Sequence, residues 1–376
     1  MKRHLVYITG TRADFGLMRS TLLEINRSEA FNLSLIVSGM HLSSKYGMTA
    51  NEIKNSGLPI RDEVINNVDD VSNVSVAKNI GIMVQGFSQA LYSNPPDCVI
   101  LLGDRGEMLA GAIAALSLNI PIVHIHGGER SGTVDEPVRH AISKLSNFHF
   151  VSTNASRDRL IRMGEEESNI WVTGAPGLDD LRKVSGISLD QVLSEYGFVR
   201  EKKLAIMVFH PDNPDSLVAS QETQEIMEQL ISRDIQFLAL MPNSDPSSDG
   251  IRGILKAYEG HKLVRLITHL PRDKFVQCLL VSNLLIGNSS SGIIEAASFG
   301  TPVVNIGDRQ KFRERNANTI DAKCSGIQIG AAIDQALKKN RYPLFNIYGD
   351  GNSGRIILDL LRVLPLGKIM VKSNAY

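Results

Sequence analysis

Residues 98–128 read CVILLGDRGEMLAGAIAALSLNIPIVHIHGG. An apolar run over Cys98–Gly103 ends in a glycine followed by Asp104, Arg105 and Glu107. A small-residue helix over Gly106–Leu118 comes next, and a second apolar run, Ile120–Gly127, closes the unit. Strands that are apolar throughout, rather than alternating, need cover on both faces. A helix between two of them makes a parallel crossover. The same rhythm spreads in both directions. Upstream lie strand His4–Gly10, a helix from about Gly16, strand Leu33–Gly39 and a long helix Asn73–Ser93. Downstream lie helix Pro137–Ser146, strand Phe148–Ser152, helix Ala155–Met163 and strand Asn169–Gly174.

The stretch Gly174–Leu189 breaks the pattern, which then restarts. Strands are expected at Lys203–His210, Ile235–Met241, Val264–Leu270, Asn283–Asn288 and Pro302–Ile306. Helices are expected over 217–233, 251–259, 272–282, 291–299, 329–339 and 354–364. The expected fold class is α/β, with two doubly wound domains, 1–175 and 176–376, facing across an interdomain cleft. A chain of 376 residues accommodates two such domains. Lys+Arg and Asp+Glu are both 40, so the basic excess of a nucleic-acid or anionic-membrane surface is absent. Cys98, Cys278 and Cys324 form no CxxC pair, which argues against a disulfide framework or a cysteine zinc site. The start, MKRHLVYITG, lacks the long apolar stretch of a secretory signal, and no apolar run reaches a membrane span. The expected location is cytoplasmic.

Doubly wound sheets bind ligands beyond the carboxyl ends of their strands, so the strand-to-helix loops carry the candidates. Gly10-Thr11-Arg12-Ala13-Asp14-Phe15-Gly16 opens a helix whose free N–H groups, with Arg12, suit an anion. It is not GxGxxG, and the second strand ends in Val37-Ser38-Gly39 with no acid for a ribose. In the next loop Asp104 reads as a base or as a helix cap beside Arg105. The densest loop runs from His124 to Arg130, followed by Asp135–His140. His124 and His126 share a strand face. With Glu129 they read as metal ligands or, for His124, as a hydrogen-bonded strand histidine, the reading favoured here. His126, at the strand end, faces a ligand. Glu129 and Asp135 are acid–base candidates, or else a loop charge and a first-turn helix charge. Arg139 and His140 read equally as exposed helix residues. His210, in Phe209-His210-Pro211-Asp212-Asn213, enters the cleft or caps its loop. Gly287-Asn288-Ser289-Ser290-Ser291-Gly292 suits a phosphate, with Glu295 in reach of a ribose; the plain alternative is a strong helix cap. Arg309, Lys311 and Arg313 gather cations beyond another strand, as an anion site or a solvated face.

Taken in order, GTRADFG, SGMHLS, LLGDRGE, HIHGGERSGTVDE, RHAISK, GAPGLD, FHP, GNSSSGIIEA and NIGDRQ closely resemble the hydrolysing UDP-N-acetylglucosamine 2-epimerases of sialic-acid and related nonulosonic-acid synthesis. Each motif alone is weak; the ordered set is specific. The resemblance implies two Rossmann-like domains in a glycosyltransferase-B-like arrangement, with the last helix packing back on the first domain. It implies UDP-N-acetylglucosamine and water as substrates, N-acetylmannosamine and UDP as products, no metal or other cofactor, and a homodimer or homotetramer. By the same resemblance Ser289 and Ser290 meet the β-phosphate, Gly292 allows close backbone approach, and Glu295 holds the ribose. Arg12 and His210 lie at the diphosphate, and the Phe275 backbone meets the uracil. Asp104 and Asp135 match the family's acid–base carboxylates. Two positions depart from the wider family. His126 stands where others carry Glu in HIE or HVE, with Glu129 three residues later, and Leu17 stands where many carry Lys.

The implied chemistry is elimination of UDP to a 2-acetamidoglucal, then hydration. Proton transfer on two faces needs at least two acid–base groups, which Asp104, Glu129, Asp135 and His126 supply. Relatives acting on UDP-2,4-diacetamido-2,4,6-trideoxyglucose share HIHGGE and GAPGLD and give the alternative substrate. A glycosyltransferase of the same layout, a UDP-sugar sensor and a metal hydrolase using His124 and His126 are the rivals from other classes.

Overall fold

A computed structural model describes residues 2–70, 72–132, 135–179, 181, 187–212, 215–243, 245, 247–366 and 372–375. Thr133 and Val134 of the third candidate loop, Asn213 of the fourth, and residues 180 and 182–186 of the Gly174–Leu189 break lie outside them. The chain forms two compact units. The first comprises Met1–Arg130, Val134–Asp180 and Tyr348–Tyr376, and the second Ser131–Thr133 and Leu181–Ile347.

The first unit holds a parallel sheet of seven strands: β1 (Arg3–Thr9), β2 (Phe31–Ser38), β3 (Ile60–Val64), β4 (Cys98–Leu102), β5 (Ile122–Ile125), β6 (Phe148–Val151) and β7 (Ile170–Val172). Their order is β3-β2-β1-β4-β5-β6-β7. The second holds β8 (Leu204–Val208), β9 (Gln236–Leu240), β10 (Val264–Ile267), β11 (Leu284–Gly287), β12 (Val303–Ile306) and β13 (Thr319–Ala322), ordered β10-β9-β8-β11-β12-β13. Both orders reverse direction beside the unit's first strand. The switch falls between β1 and β4 in one sheet and between β8 and β11 in the other, and ligands of doubly wound sheets bind at such a point.

Continuous apolar strands gave the central elements their cover. Leu5, Tyr7, Ile100 and Val123 pack in one buried cluster, while Val6, Ile8, Val99 and Leu101 pack in another. Alternate side chains point to opposite faces, so both faces are lined with core. In the second unit Ala205, Met207, Phe237, Ala239, Ile286 and Val304 line the same kind of face.

β3 and β13 were not anticipated. Their sequences, IRDEV and TIDA, are polar, because an edge strand leaves much of itself to solvent.

The chain passes from the first unit to the second between Asp180 and Leu181 and returns at Tyr348. The carboxyl-terminal residues 348–376 group with the first unit. Helix Ser353–Val363 buries Ile357 and Leu361 beside Met18, Leu22 and Ile25, each buried aliphatic side chain adding roughly 1.5–3 kcal/mol. Asp179 caps it through the Ser353 N–H (3.0 Å) and the Gly354 N–H. Arg3 Nη1 donates to the Leu361 and Leu364 carbonyls, both at 2.7 Å. Among the described residues no helix is long and apolar enough to cross a membrane.

Candidate active site

At the first switch point, the loop after β1 is held from inside. Thr11 caps helix Arg12–Arg27 in a capping box with Asp14. The buried Asp14 carboxylate accepts from the Thr11 N–H (2.7 Å), the Thr11 hydroxyl (2.9 Å), the Gly10 N–H (3.2 Å) and the Thr9 hydroxyl. Burial pushes its pKa up to about 6, opposed by those hydrogen bonds. The Thr9 hydroxyl lies 2.9 Å from His41 Nε2, and His41 Nδ1 lies 2.7 Å from the Thr49 hydroxyl. Gly10 must be a glycine: a Cβ there would meet Glu107 Cγ at 2.5 Å. Arg12 is the first helical residue and half-buried.

The loops after β4 and β5 meet through one buried cation. Arg139, for which a place on the exposed helix surface was one of two readings, is 1% exposed and forms an ion pair with Asp104. Its Nη1 donates to the Glu129 carbonyl at 3.0 Å. Helix Asp135–Leu145 turns this residue, four after Asp135, onto its buried face with Ile142 and Ser143. Asp135 is the first residue of that helix and half-buried.

His124 does not suit the metal reading. Its Nε2 lies 2.8 Å from the Gly103 carbonyl and its Nδ1 3.0 Å from the Ser143 hydroxyl. A carbonyl only accepts, so Nε2 carries the proton. Burial pushes the pKa down to about 3, so the ring is neutral. Both nitrogens are engaged by protein. Among the described residues no group of three or more His, Cys, Asp or Glu side chains is placed to hold a metal ion.

His126 is different. Its φ is +64°, a left-handed conformation that side-chain-bearing residues rarely adopt. Its Nδ1 lies 3.0 Å from Glu129 Oε1, and Glu129 also accepts from the Ser152 hydroxyl at 2.9 Å. Its Nε2 is buried and has no hydrogen-bond partner among the described residues. A carboxylate at Nδ1 fixes the proton there and leaves the Nε2 lone pair open. The turn beyond needs Gly128 (φ +73°), where a Cβ would strike the Ser156 carbonyl.

At the second switch point, Asn288 ties two loops together. Its Oδ1 accepts from the His210 N–H and its Nδ2 donates to the His210 carbonyl, both at 2.8 Å. Gln310 Nε2 donates to the Asn288 carbonyl at 2.9 Å. Ser289 caps the short helix Ser290–Ile294, accepting from the Ser291 N–H at 3.3 Å, and Ser290 is half-buried beside it. Gly292 serves packing: a Cβ would meet Leu285 Cδ2 and Val303 Cγ1 at 2.9 Å, so its glycine seats the helix on the sheet.

Glu295 is 2% exposed and ion-paired with Arg272, a residue the sequence reading missed. The Phe275 N–H is committed to the Pro271 carbonyl at 2.9 Å within its own helix. The cation cluster is also partly spoken for. Arg309 lies 3.3 Å from Asp245 and donates to the Pro211 carbonyl at 3.0 Å, while Lys311 is 3.5 Å from Asp308. Asp212 accepts from the Asp308 and Arg309 N–H groups at 2.8 and 2.9 Å, pinning that loop to the His210 loop.

Sequence reasoning passed over Arg272, and it placed Arg139 and Asn288 in candidate loops without their partners. The signal for Arg139 was its place four residues after Asp135 on an amphipathic helix; Arg272 left none.

The UDP-N-acetylglucosamine 2-epimerase family matches residues 23–362. A relative from Legionella pneumophila named UDP-N,N'-diacetylbacillosamine 2-epimerase (hydrolyzing) is 46% identical, with all of both chains covered. One from Neisseria meningitidis serogroup B named UDP-N-acetylglucosamine 2-epimerase is 32% identical over 94% of this chain and 92% of its own. Among solved structures, the UDP-N-acetylglucosamine 2-epimerase of Neisseria meningitidis bound to UDP-N-acetylglucosamine superposes with TM-score 0.79 at 20% identity, covering 95% of this chain and 99% of that one. That likeness agrees in fold with two Rossmann-like parallel sheets of the glycosyltransferase-B type. On the match of residues 23–362, the chain belongs to the UDP-N-acetylglucosamine 2-epimerase family.

Proposed function

We propose that the protein is a hydrolysing 2-epimerase whose substrate is UDP-N,N'-diacetylbacillosamine, the 2,4-diacetamido-2,4,6-trideoxyglucose nucleotide. The observation that carries the substrate choice is the 46% identity, end to end, to the Legionella relative of that name. UDP-N-acetylglucosamine, with N-acetylmannosamine and a sialic-acid-type glycan downstream, is the second reading, supported by the Neisseria relative at 32%. Both readings share one chemistry.

In that chemistry a base removes the C2 proton while the C1–oxygen bond to UDP breaks, leaving a C1=C2 double bond and free UDP. Water then adds its hydroxyl to C1, and a proton reaches C2 from the opposite face. The product is the free sugar with C2 inverted. His126 is the base. Glu129 holds its tautomer and stabilises the imidazolium that forms, as a carboxylate behind a catalytic histidine does. Asp104, held by Arg139, activates the water, and Asp135 delivers the proton to C2. Ser289, Ser290, Arg12 and His210 bind the diphosphate, whose leaving oxygen gains charge in the transition state and is held more tightly there. Glu295, with Arg272 behind it, takes the ribose, and the Phe275 segment lies at the base. No cofactor enters.

Turnover of the two sugar nucleotides by the purified enzyme tests the substrate. The expected kcat/KM is at least about tenfold higher for the diacetamido sugar, which corresponds to about 1.4 kcal/mol of added transition-state binding. The reverse preference restores UDP-N-acetylglucosamine as substrate.

A further inference from the structure

Far along the chain, residues 372–375 lie against the first unit at a place the reaction does not explain. Lys372 Nζ donates to the Glu165 carboxylate, to the Ser146 carbonyl and, at 3.2 Å, to the Ser143 carbonyl. The Ala375 N–H donates to the Gly164 carbonyl at 2.9 Å, and Lys144 Nζ donates to Asn374 Oδ1 at 2.5 Å. Glu165 is 2% exposed. A buried carboxylate is costly unless it is paired and hydrogen-bonded. Lys144 reaches it at 2.8 Å and His149 Nε2 at 2.9 Å, but Lys144 is a third exposed, whereas Lys372 is 14% exposed. Burial pushes the Glu165 pKa up; His149, Lys144 and Lys372 outweigh it and hold it at about 2.

The same ammonium sits at the carboxyl end of helix Asp135–Leu145, where the last carbonyls lack helical partners and favour a cation. That helix carries Asp135 and Arg139. Ser143 joins the two ends of the arrangement. Its carbonyl faces Lys372, and its hydroxyl lies 3.0 Å from His124 Nδ1, whose Nε2–H holds the Gly103 carbonyl immediately before Asp104. Arg139, one turn earlier, grips the Asp104 carboxylate itself. Asp104 is thus held from two sides by the helix that Lys372 anchors.

We propose that Lys372 is a positioning residue for Asp104, acting by locking the carboxyl end of helix Asp135–Leu145 and, through Ser143 and His124, the loop that carries the carboxylate. The catalytic consequence rests on the epimerase reading above. Lys372→Met is expected to lower kcat about tenfold to a hundredfold, the scale of a small misplacement of a catalytic group, with KM and UDP affinity unchanged. Hydrogen exchange at residues 103–106 and 139–146 should speed up at least about tenfold, local opening being the observable, with 284–295 unaffected. Lys372→Arg should recover most of the activity.

If Lys372→Met fails to fold because Glu165 is left unpaired, Glu165→Gln/Lys372→Met removes that charge. The double variant should show the same loss of kcat and the same faster exchange. Unchanged kcat with unchanged exchange at 103–106 overturns the proposal. So does a parallel loss of UDP affinity, which marks general loosening. If the wild-type enzyme releases UDP from neither sugar, the epimerase reading fails, and exchange at 103–106 alone decides the positioning role.

Discussion

His126→Asn abolishes nearly all turnover and leaves UDP binding intact. General acid–base groups contribute about a hundred- to ten-thousandfold, and kcat should fall within that range. The substitution is chosen for its backbone. Asparagine enters the left-handed region more readily than most residues, so the φ of +64° at this position is kept without new strain. The imidazole is lost, and with it the open Nε2. Two costs converge on this residue: a left-handed backbone, roughly 1–2 kcal/mol, and a buried ring nitrogen with no partner among the described residues, roughly 1–3 kcal/mol. Local strain of this kind gathers at functional sites. The loss is read from UDP release under saturating substrate, with UDP affinity measured by calorimetry. Turnover within about threefold of wild type, against the expected hundredfold or more, removes His126 as the base and returns that role to Glu129.

Gly287→Ala has the largest expected effect on the second unit. Gly287 adopts φ +136° at the end of β11, and a Cβ there would overlap the Val208 carbonyl on the neighbouring strand β8. That carbonyl also accepts the Asn288 N–H at 3.1 Å. The new methyl group must therefore part β8 from β11 where Asn288 grips the backbone of His210. Loss of about 3 kcal/mol or more is expected from overpacking plus backbone strain, with UDP affinity falling more than tenfold, the equivalent of 1.4 kcal/mol. Gly253→Ala is the control. Gly253 lies inside helix Ser248–Ala257 with open space at its Cβ, so the same methyl group should stabilise by about 0.5–1 kcal/mol. Denaturant midpoints and UDP titration of both variants check the contrast. Equal stability of the two variants contradicts the assigned packing.

The central strands were legible because burial on both faces writes itself as an unbroken apolar run. Cys98–Leu102 and Leu204–Val208 announce themselves in this way. β3 and β13 were not legible, since a half-solvated edge tolerates Arg61, Asp62, Glu63 and Asp321. The loops were located correctly because glycines and charges interrupt apolar runs at strand ends. Side-chain partnerships within them were harder. Asp104 and Arg139 are separated by helix Gly106–Ser117 and strand β5, and only the fold makes them an ion pair. Lys372 lies beyond every motif, and its tie to Glu165 spans 207 positions. In contrast, His124 and His126 looked alike as an HxH pair, yet one is sealed by Gly103 and Ser143 and the other keeps Nε2 open.

Turnover of UDP-N,N'-diacetylbacillosamine in deuterated water tests the elimination–hydration account most directly. The expected product is a free C2-inverted sugar carrying deuterium at C2 in every molecule, with one free UDP released for each. A product that retains protium at C2, or that remains linked to UDP, contradicts it.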